Sequence, residues 1–129
     1  MNPAVSVPGE WVPAMVDAGV MRCTRQRLSS LAVGGGTPIE EAARAERLAR
    51  LCEREARWWR VLERWLLAHP DEWTVVFGRA VAHTVAVQAE NAHRWRMLAG
   101  DWRRLVNGEP ICLVIGCGCG GSDACGVAS

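Results

Sequence analysis

Apolar residues recur with a helical period over residues 37–107. In the first half of this region they follow one another in steps of three and four residues, the spacing of one face of an α-helix. These positions are Ala45, Leu48, Cys52, Trp59, Leu62 and Leu66, with Glu55 as the one charged member of the series. The second half repeats the spacing at Phe77, Val81, Thr84, Gln88, Asn91, Trp95, Leu98, Trp102 and Leu105. The pattern therefore predicts two long amphipathic helices.

Local start and stop signals bound these two helices. Thr37-Pro38-Ile39-Glu40 places a hydroxyl at the N-cap, a proline at the first helical position and a carboxylate three residues after the cap, which is a capping box. Pro70 ends the first helix, Asp71 is predicted to cap the second, and Asn107-Gly108 followed by Pro110 ends the second. Joined by so short a turn, the helices are predicted to pack as an antiparallel hairpin whose facing residue numbers sum to about 140.

One layer of this predicted hairpin is polar. Folding the chain at residue 70 brings Glu55 beside Thr84 and Gln88. An ionised carboxylate alone in an apolar seam is costly, but a neighbouring hydroxyl and amide can satisfy it. We interpret Glu55, Thr84, Gln88 and Asn91 as a polar layer that fixes the register of the two helices, as a buried asparagine does in coiled coils.

Each long helix also has a second apolar stripe, which a two-helix hairpin cannot cover by itself. On the first helix the stripe is Leu51, Trp58, Val61 and Trp65, and on the second it includes the smaller residues Ala82, Val85, Ala89 and Ala92. Small residues let another backbone come close, and exposed apolar patches of this size usually mark interfaces. The sequence therefore predicts these eight residues as an interface with the N-terminal segment, a second copy or another protein.

Residues 1–36 are predicted to form an N-terminal segment with one or two short helices. Pro13 suits a helix start and Gly19 suits a break. A second short amphipathic helix is predicted from the spacing of Val20, Met21, Leu28, Leu31 and Val33. Residues 34–36 are three glycines that are predicted to form a flexible joint before residue 37. No strand precedes them and no Lys-Ser/Thr follows them, so they do not match a phosphate-binding loop. We expect the short helices to cover part of the second stripe.

Residues 108–129 form a tail that is rich in cysteine and glycine. Residues 111–115 are a short apolar run that predicts one strand, and the glycine-rich remainder is predicted to be irregular. The tail cysteines are Cys112, Cys117, Cys119 and Cys125, with the spacing C-x4-C-x-C-x5-C. That spacing matches neither a zinc knuckle nor an iron–sulfur loop. We therefore predict no cofactor and no metal, and these four thiols are the candidate ligands should a metal bind.

Charge and composition narrow the classes of function. Fifteen arginines and no lysine balance fourteen acidic residues, so the net charge is +1. Glu40/Arg44, Glu46/Arg50 and Glu53/Arg57 are spaced i, i+4 with the acid first and are predicted to pair on a solvated face. A nucleic-acid partner would require a basic excess or a basic stripe, so we expect none. With neither a secretory signal nor an apolar run of membrane-spanning length, we expect no membrane partner and a cytoplasmic protein, or a particle assembled in the cytoplasm.

The sequence thus predicts an all-α fold: a long antiparallel hairpin at 37–107, short N-terminal helices at 1–36, and an irregular tail with one strand at 108–129. No nucleophile, oxyanion loop or pair of acids is arranged for catalysis, so we expect no enzyme. We predict a non-enzymatic assembly protein, a small helical subunit that packs into a larger homo- or hetero-oligomer or particle.

Two other functions remain open at this point. A helical leader, a break near Pro110 and a short Cys/Gly/Ser segment resemble the layout of precursors of ribosomally made, post-translationally modified peptides. The resemblance lies in the composition of the last twenty residues, and it implies that the tail cysteines and Ser122 would be modified. The third function is a metal-binding helical protein, since Glu90-x-x-His93 has the spacing of di-iron bundles, although His93 points away from the predicted seam.

Overall fold

The structure, a computed structural model, describes residues 11–71 and 74–109, and these residues form three α-helices. The helices are α1 (Val12–Ala32), α2 (Pro38–Ala68) and α3 (Thr74–Val106). The predicted all-α class is confirmed for these two ranges. The predicted strand and the four tail cysteines lie outside the described residues. Within those ranges, no helix combines the length and the apolar character that a membrane crossing needs.

The start of α2 follows from its capping residues. Thr37 is the N-cap in an extended conformation, and its hydroxyl accepts the backbone N–H of Glu40 at 3.3 Å. The carboxylate of the capping box is not the predicted one. The side chain of Glu41, rather than that of Glu40, accepts a hydrogen bond from the backbone N–H of Gly36 at 3.2 Å. The adjacent carboxylate therefore closes the turn that leads into α2, and the predicted helix start is confirmed.

The ends of α2 and α3 lie where the sequence places them. α2 ends at Ala68, immediately before His69-Pro70. α3 ends at Val106, and Gly108 then adopts a φ of 71°, a left-handed conformation that favours glycine. The N–H groups of Gly108 and Glu109 donate to the carbonyls of Leu105 and Arg104 at 3.2 and 2.8 Å. These bonds satisfy carbonyls that the end of the helix would otherwise leave without a donor.

α1 is a single helix of 21 residues, so the predicted break at Gly19 is wrong. Gly19 is buried, and a Cβ atom built on it would lie within 2.5 Å of the indole ring of Trp58. The glycine therefore lets α1 come close to α2, and it does not break the helix. Val16 and Cys23, one turn away on either side, are also buried, so this face of α1 packs on α2.

α2 lies at the centre of the fold because it packs against both other helices. It runs opposite to α3, since Glu46 near its start forms an ion pair with Arg103 near the end of α3. It also runs opposite to α1, because Arg44 donates to the carbonyl of Val33, just after α1, at 2.5 Å. The connection from α2 to α3 includes residues 72–73, which the structure does not describe, so a closed hairpin stays a prediction.

The face of α3 that packs on α2 is displaced by one residue from the predicted seam. Val81 and Gln88 of the predicted seam are buried, but the other buried residues of α3 are Ala92 and Ala99, from the second stripe and its continuation. The seam positions Phe77, Leu98 and Leu105 are instead 54%, 39% and 45% exposed. Alanine has a smaller side chain than leucine, so this face lets α3 pack closer to α2. The larger apolar side chains are left on the neighbouring flank of α3.

Candidate interaction surfaces

A buried polar layer connects all three helices. Glu55 of α2 is 4% exposed, and its carboxylate accepts a hydrogen bond from the side-chain amide of Gln88 on α3 at 3.3 Å. Arg27 of α1 forms an ion pair with the same carboxylate at 3.0 Å and donates to the Gln88 amide oxygen at 3.4 Å. The predicted contact between Glu55 and Gln88 is therefore present. The layer fixes the position of α1 along α2 as well as that of α3, because Arg27 contacts both Glu55 and Gln88.

Two predicted members of this layer are not part of it, and one member was missed. The hydroxyl of Thr84 donates to the carbonyl of Ala80 in its own helix at 2.8 Å. Asn91 is half-buried and makes no side-chain hydrogen bond within the described residues. Both positions turn away from Glu55 because α3 is rotated relative to the predicted seam. Arg27 could have been found from its spacing, since it continues the series Val16, Val20 and Cys23 that faces α2.

Two free thiols lie close to the polar layer. Cys23 of α1 and Cys52 of α2 are each 1% exposed. Burial raises the pKa of both thiols above its ordinary value, and the Glu55 carboxylate raises each further. A protonated, buried thiol is a poor nucleophile and a poor metal ligand. Among the described residues, no group of three or more His, Cys, Asp or Glu side chains is placed to hold a metal ion.

The eight predicted interface residues do not form one surface. Leu51 and Ala92 are 6% and 1% exposed, so both are buried inside the chain. Their burial follows from α1 packing over Leu51 and from the rotation of α3, which turns Ala92 towards α2. Trp58 is half-buried against Gly19, so the expectation that the N-terminal segment covers part of this stripe is confirmed there. Trp65 stacks on His69, with ring centroids 4.5 Å apart.

The other predicted interface residues line a groove between α2 and α3, which we call the α2–α3 groove. Its volume is about 770 Å³. Its apolar wall consists of Val61, Ala82, Val85, Ala86 and Ala89, and its charged rim of Arg57, Arg60, Glu63 and Arg64. A second groove of about 610 Å³ lies between α1 and α2. This α1–α2 groove is lined on α1 by Arg25, Gln26, Ser29 and Ser30.

α1 and α3 each also carry exposed apolar side chains on the side of the helix away from its groove with α2. Successive residues of a helix turn by about 100°, so on α3 this side carries Val87, Leu98 and Leu105, and on α1 it carries Leu31, with Met21 and Leu28 further towards solvent. All six side chains are exposed. We call the surface that these two flanks form the α1–α3 cleft.

The ion pairs of α2 differ from the three that the sequence predicts. Glu46 pairs with Arg103 and Glu53 with Arg96, both across the seam to α3. Arg44 pairs with Glu41 rather than Glu40. The three predicted i, i+4 pairs are therefore wrong. Glu46 and Glu53 pair with arginines of α3 that lie alongside α2. Their predicted partners on α2, Arg50 and Arg57, remain exposed.

These surfaces define the molecule more closely than any likeness to other proteins does. The tail residues of the peptide-precursor and metal-binding predictions lie outside the described ranges, so both stay predictions. Comparison of the chain with protein-family models, with curated proteins and with solved structures gives no match.

Proposed function

We propose that this chain is a non-enzymatic assembly subunit that binds further copies of itself or other subunits through the α1–α3 cleft. The observation that carries the proposal is the exposure of large apolar side chains on both walls of the cleft. Met21 and Leu28 on α1 are 44% and 62% exposed, and Leu98 and Leu105 on α3 are 39% and 45% exposed. Apolar side chains gathered on exposed helix flanks are the usual sign of a surface that a partner covers.

The spacing within the cleft favours a helical partner. Leu98 and Leu105 are seven residues apart on α3, as are Met21 and Leu28 on α1. A row of apolar side chains at heptad spacing accepts the apolar face of another helix. Of the hydrogen bonds and ion pairs in the described residues, one joins α1 to α3, the bond of Arg27 to Gln88. A fourth helix in the cleft would complete a bundle around the apolar residues.

The proposal includes two statements about the setting of the subunit. α2 and α3 form a closed hairpin within one chain, supported by the ion pairs Glu46–Arg103 and Glu53–Arg96 along their length. The assembly forms in the cytoplasm, where a reducing environment would keep the buried thiols Cys23 and Cys52 free.

Light scattering coupled to size-exclusion chromatography of the full chain tests the proposal. We expect a mass that is a multiple of 14.1 kDa and rises with concentration. A mass of 14.1 kDa at every concentration, with no partner cross-linked to the chain in its source cells, would overturn the proposal.

The cleft itself is tested by Leu98→Glu. A carboxylate in the apolar contact is costly to bury, so we expect this variant to shift the mass towards 14.1 kDa without loss of helix content by circular dichroism. Val75→Glu is the matched control, because Val75 is 67% exposed and lies on a different flank of α3. Equal masses for the two variants would show that the cleft is not the assembly surface.

A further inference from the structure

The solvent face of α2 carries a row of six arginines. Arg47, Arg50, Arg54, Arg57, Arg60 and Arg64 are all exposed and follow one another in steps of three and four residues. That spacing keeps them on one side of the helix, with about 5–6 Å between successive Cβ atoms. From residue 47 to residue 64 the row is about 25 Å long at about 1.5 Å per residue. We call this row the arginine ridge.

The ridge is not neutralised by the acidic residues of its own helix. Glu46 and Glu53 form ion pairs across the seam with Arg103 and Arg96, and the buried Glu55 forms an ion pair with Arg27. In the ranges that the structure describes, no ridge arginine forms an ion pair. Glu63 on the rim of the α2–α3 groove is one nearby carboxylate, against three arginines on the same rim. We expected no nucleic-acid partner from the sequence because it showed neither a basic excess nor a basic stripe. The ridge is such a stripe, although the net charge of the chain is +1.

The α1–α2 groove adds further donors to one end of the ridge. Arg47, Arg50 and Arg54 line this groove together with Arg25 from α1. Gln26, Ser29 and Ser30 contribute an amide and two hydroxyls on the same wall, and no acidic residue lines the groove. Guanidinium groups bind phosphate and carboxylate oxygens through paired N–H donors. The chemistry of this groove suits an anion with several oxygen acceptors.

We propose that the arginine ridge binds the phosphate backbone of a nucleic acid. Phosphates recur along each strand of duplex DNA every 3.4 Å or so, and a ridge of about 25 Å therefore spans about seven of them. A straight row of like charges suits an extended polyanion. A protein partner would place an apolar anchor in the α2–α3 groove, which adjoins three of the six arginines, whereas a polyanion can contact all six. Contacts of guanidinium groups with phosphate oxygens carry no sequence information, so binding through the backbone has little sequence preference.

Fluorescence anisotropy with labelled 20-nucleotide RNA, 20-nucleotide DNA and 20-base-pair DNA tests the proposal on the full chain. We expect binding whose logarithm falls linearly with the logarithm of salt concentration, with a slope of about −4 to −5 if all six arginines engage phosphates. A poly-glutamate peptide and vesicles with anionic lipids serve as alternative probes. Tighter binding to either of these than to nucleic acid, or nucleic-acid binding that is insensitive to salt, would overturn the proposal.

A matched pair of variants locates the binding surface. Arg54→Glu removes a ridge guanidinium, and we expect it to lower the affinity by about tenfold or more. Arg94→Glu changes the net charge by the same amount on the outer face of α3, where Arg94 pairs with the exposed Glu90, and we expect less than about a twofold change. Both sites are exposed, so circular dichroism should show the same helix content for both. Equal losses in the two variants would show that only net charge matters and would refute the ridge as the site.

Discussion

A single glycine determines how closely α1 can approach α2. Gly19 packs on the indole ring of Trp58, and the ring occupies the space that a Cβ atom would need. Alanine is the better helix former by up to about 1 kcal/mol, so helix propensity alone favours substitution. Steric overlap with a half-buried tryptophan outweighs that gain, since overpacking costs roughly 1–3 kcal/mol.

We therefore predict that Gly19→Ala lowers the free energy of unfolding. The matched control is Gly100→Ala, because Gly100 also lies inside a helix and a Cβ atom there would meet nothing within 4 Å. Gly100→Ala should raise the stability by up to about 1 kcal/mol. Denaturant unfolding followed by circular dichroism and tryptophan fluorescence measures both changes. A stabilising Gly19→Ala would show that α1 does not pack on Trp58.

The buried thiols give the fold a dependence on alkaline pH. Burial raises the pKa of Cys23 and Cys52 above the ordinary value of 9.0. Below about pH 9 the thiols are protonated in both the folded and the unfolded chain, and the full stability is present. As the pH rises further, the unfolded thiols ionise first, so the unfolded state binds fewer protons and stability falls until the folded pKa is passed.

We predict that the free energy of unfolding decreases above about pH 9 and that this slope becomes shallower in a Cys23→Ala/Cys52→Ala variant. Urea unfolding measured between pH 7 and about pH 10.5 would give both curves. The double variant will be less stable at neutral pH because it loses buried sulfur atoms, so the comparison concerns the slopes. Equal slopes in the two proteins would contradict the assignment of this dependence to the thiols.

At the scale of the helices, the sequence was sufficient to predict α2 and α3 and their ends. Thr37 and Gly108 act through bonds with near neighbours in the chain, and Pro70 restricts the residue before it, and such local effects can be derived from sequence. The contact of Glu55 with Gln88 was also predictable, because an isolated carboxylate in an apolar stripe needs a polar neighbour. The continuity of α1 was not predictable, since Gly19 is explained by Trp58, which lies far away in the sequence.

The rotation of α3 could not be derived from periodicity either. Two stripes on α3 have the same heptad spacing, and the choice between them depends on how closely α2 and α3 approach. Apolar size alone favours the stripe with Leu98 and Leu105, whereas close packing selects the stripe with Ala92 and Ala99. The rotation also accounts for Ala92, which was predicted on the interface and lies in the seam inside the chain.

This rotation can be tested by placing a large side chain on each side of the seam. Ala92 is 1% exposed in the contact with α2, so Ala92→Trp should overpack the seam and cost at least roughly 1–3 kcal/mol. Ala89 is exposed on the wall of the α2–α3 groove, so Ala89→Trp should change the stability by less than about 0.5 kcal/mol. Thermal and urea unfolding of the two variants provide the comparison. If Ala92→Trp is no more damaging than Ala89→Trp, Ala92 does not lie in the contact between α2 and α3.

In the whole molecule, the two proposed surfaces lie on opposite sides of α2. α1 and α3 both pack on α2, and the arginine ridge runs along the exposed face of α2 between the α1–α2 and α2–α3 grooves. Copies that assemble through their clefts would therefore turn their ridges outwards. Such an assembly presents several basic ridges at once, and a long nucleic acid that spans two ridges gains affinity because its second contact is intramolecular.

If both proposals hold, affinity for nucleic acid depends on assembly for long strands and not for short ones. A 10-nucleotide strand reaches little further than one ridge, so we expect Leu98→Glu to leave its affinity within about twofold of the original. A strand of about 60 nucleotides can span neighbouring ridges, and Leu98→Glu should weaken its binding by at least about tenfold.

Anisotropy titrations with both strands, alongside light scattering, would measure this dependence, with Val75→Glu as the control that keeps the assembly intact. Arg54→Glu should weaken the binding of both strands and leave the assembly mass unchanged, because its side chain lies on the opposite side of α2 from the cleft. Loss of assembly in Arg54→Glu, or equal weakening of both strands by Leu98→Glu, would mean that the two surfaces are not separate.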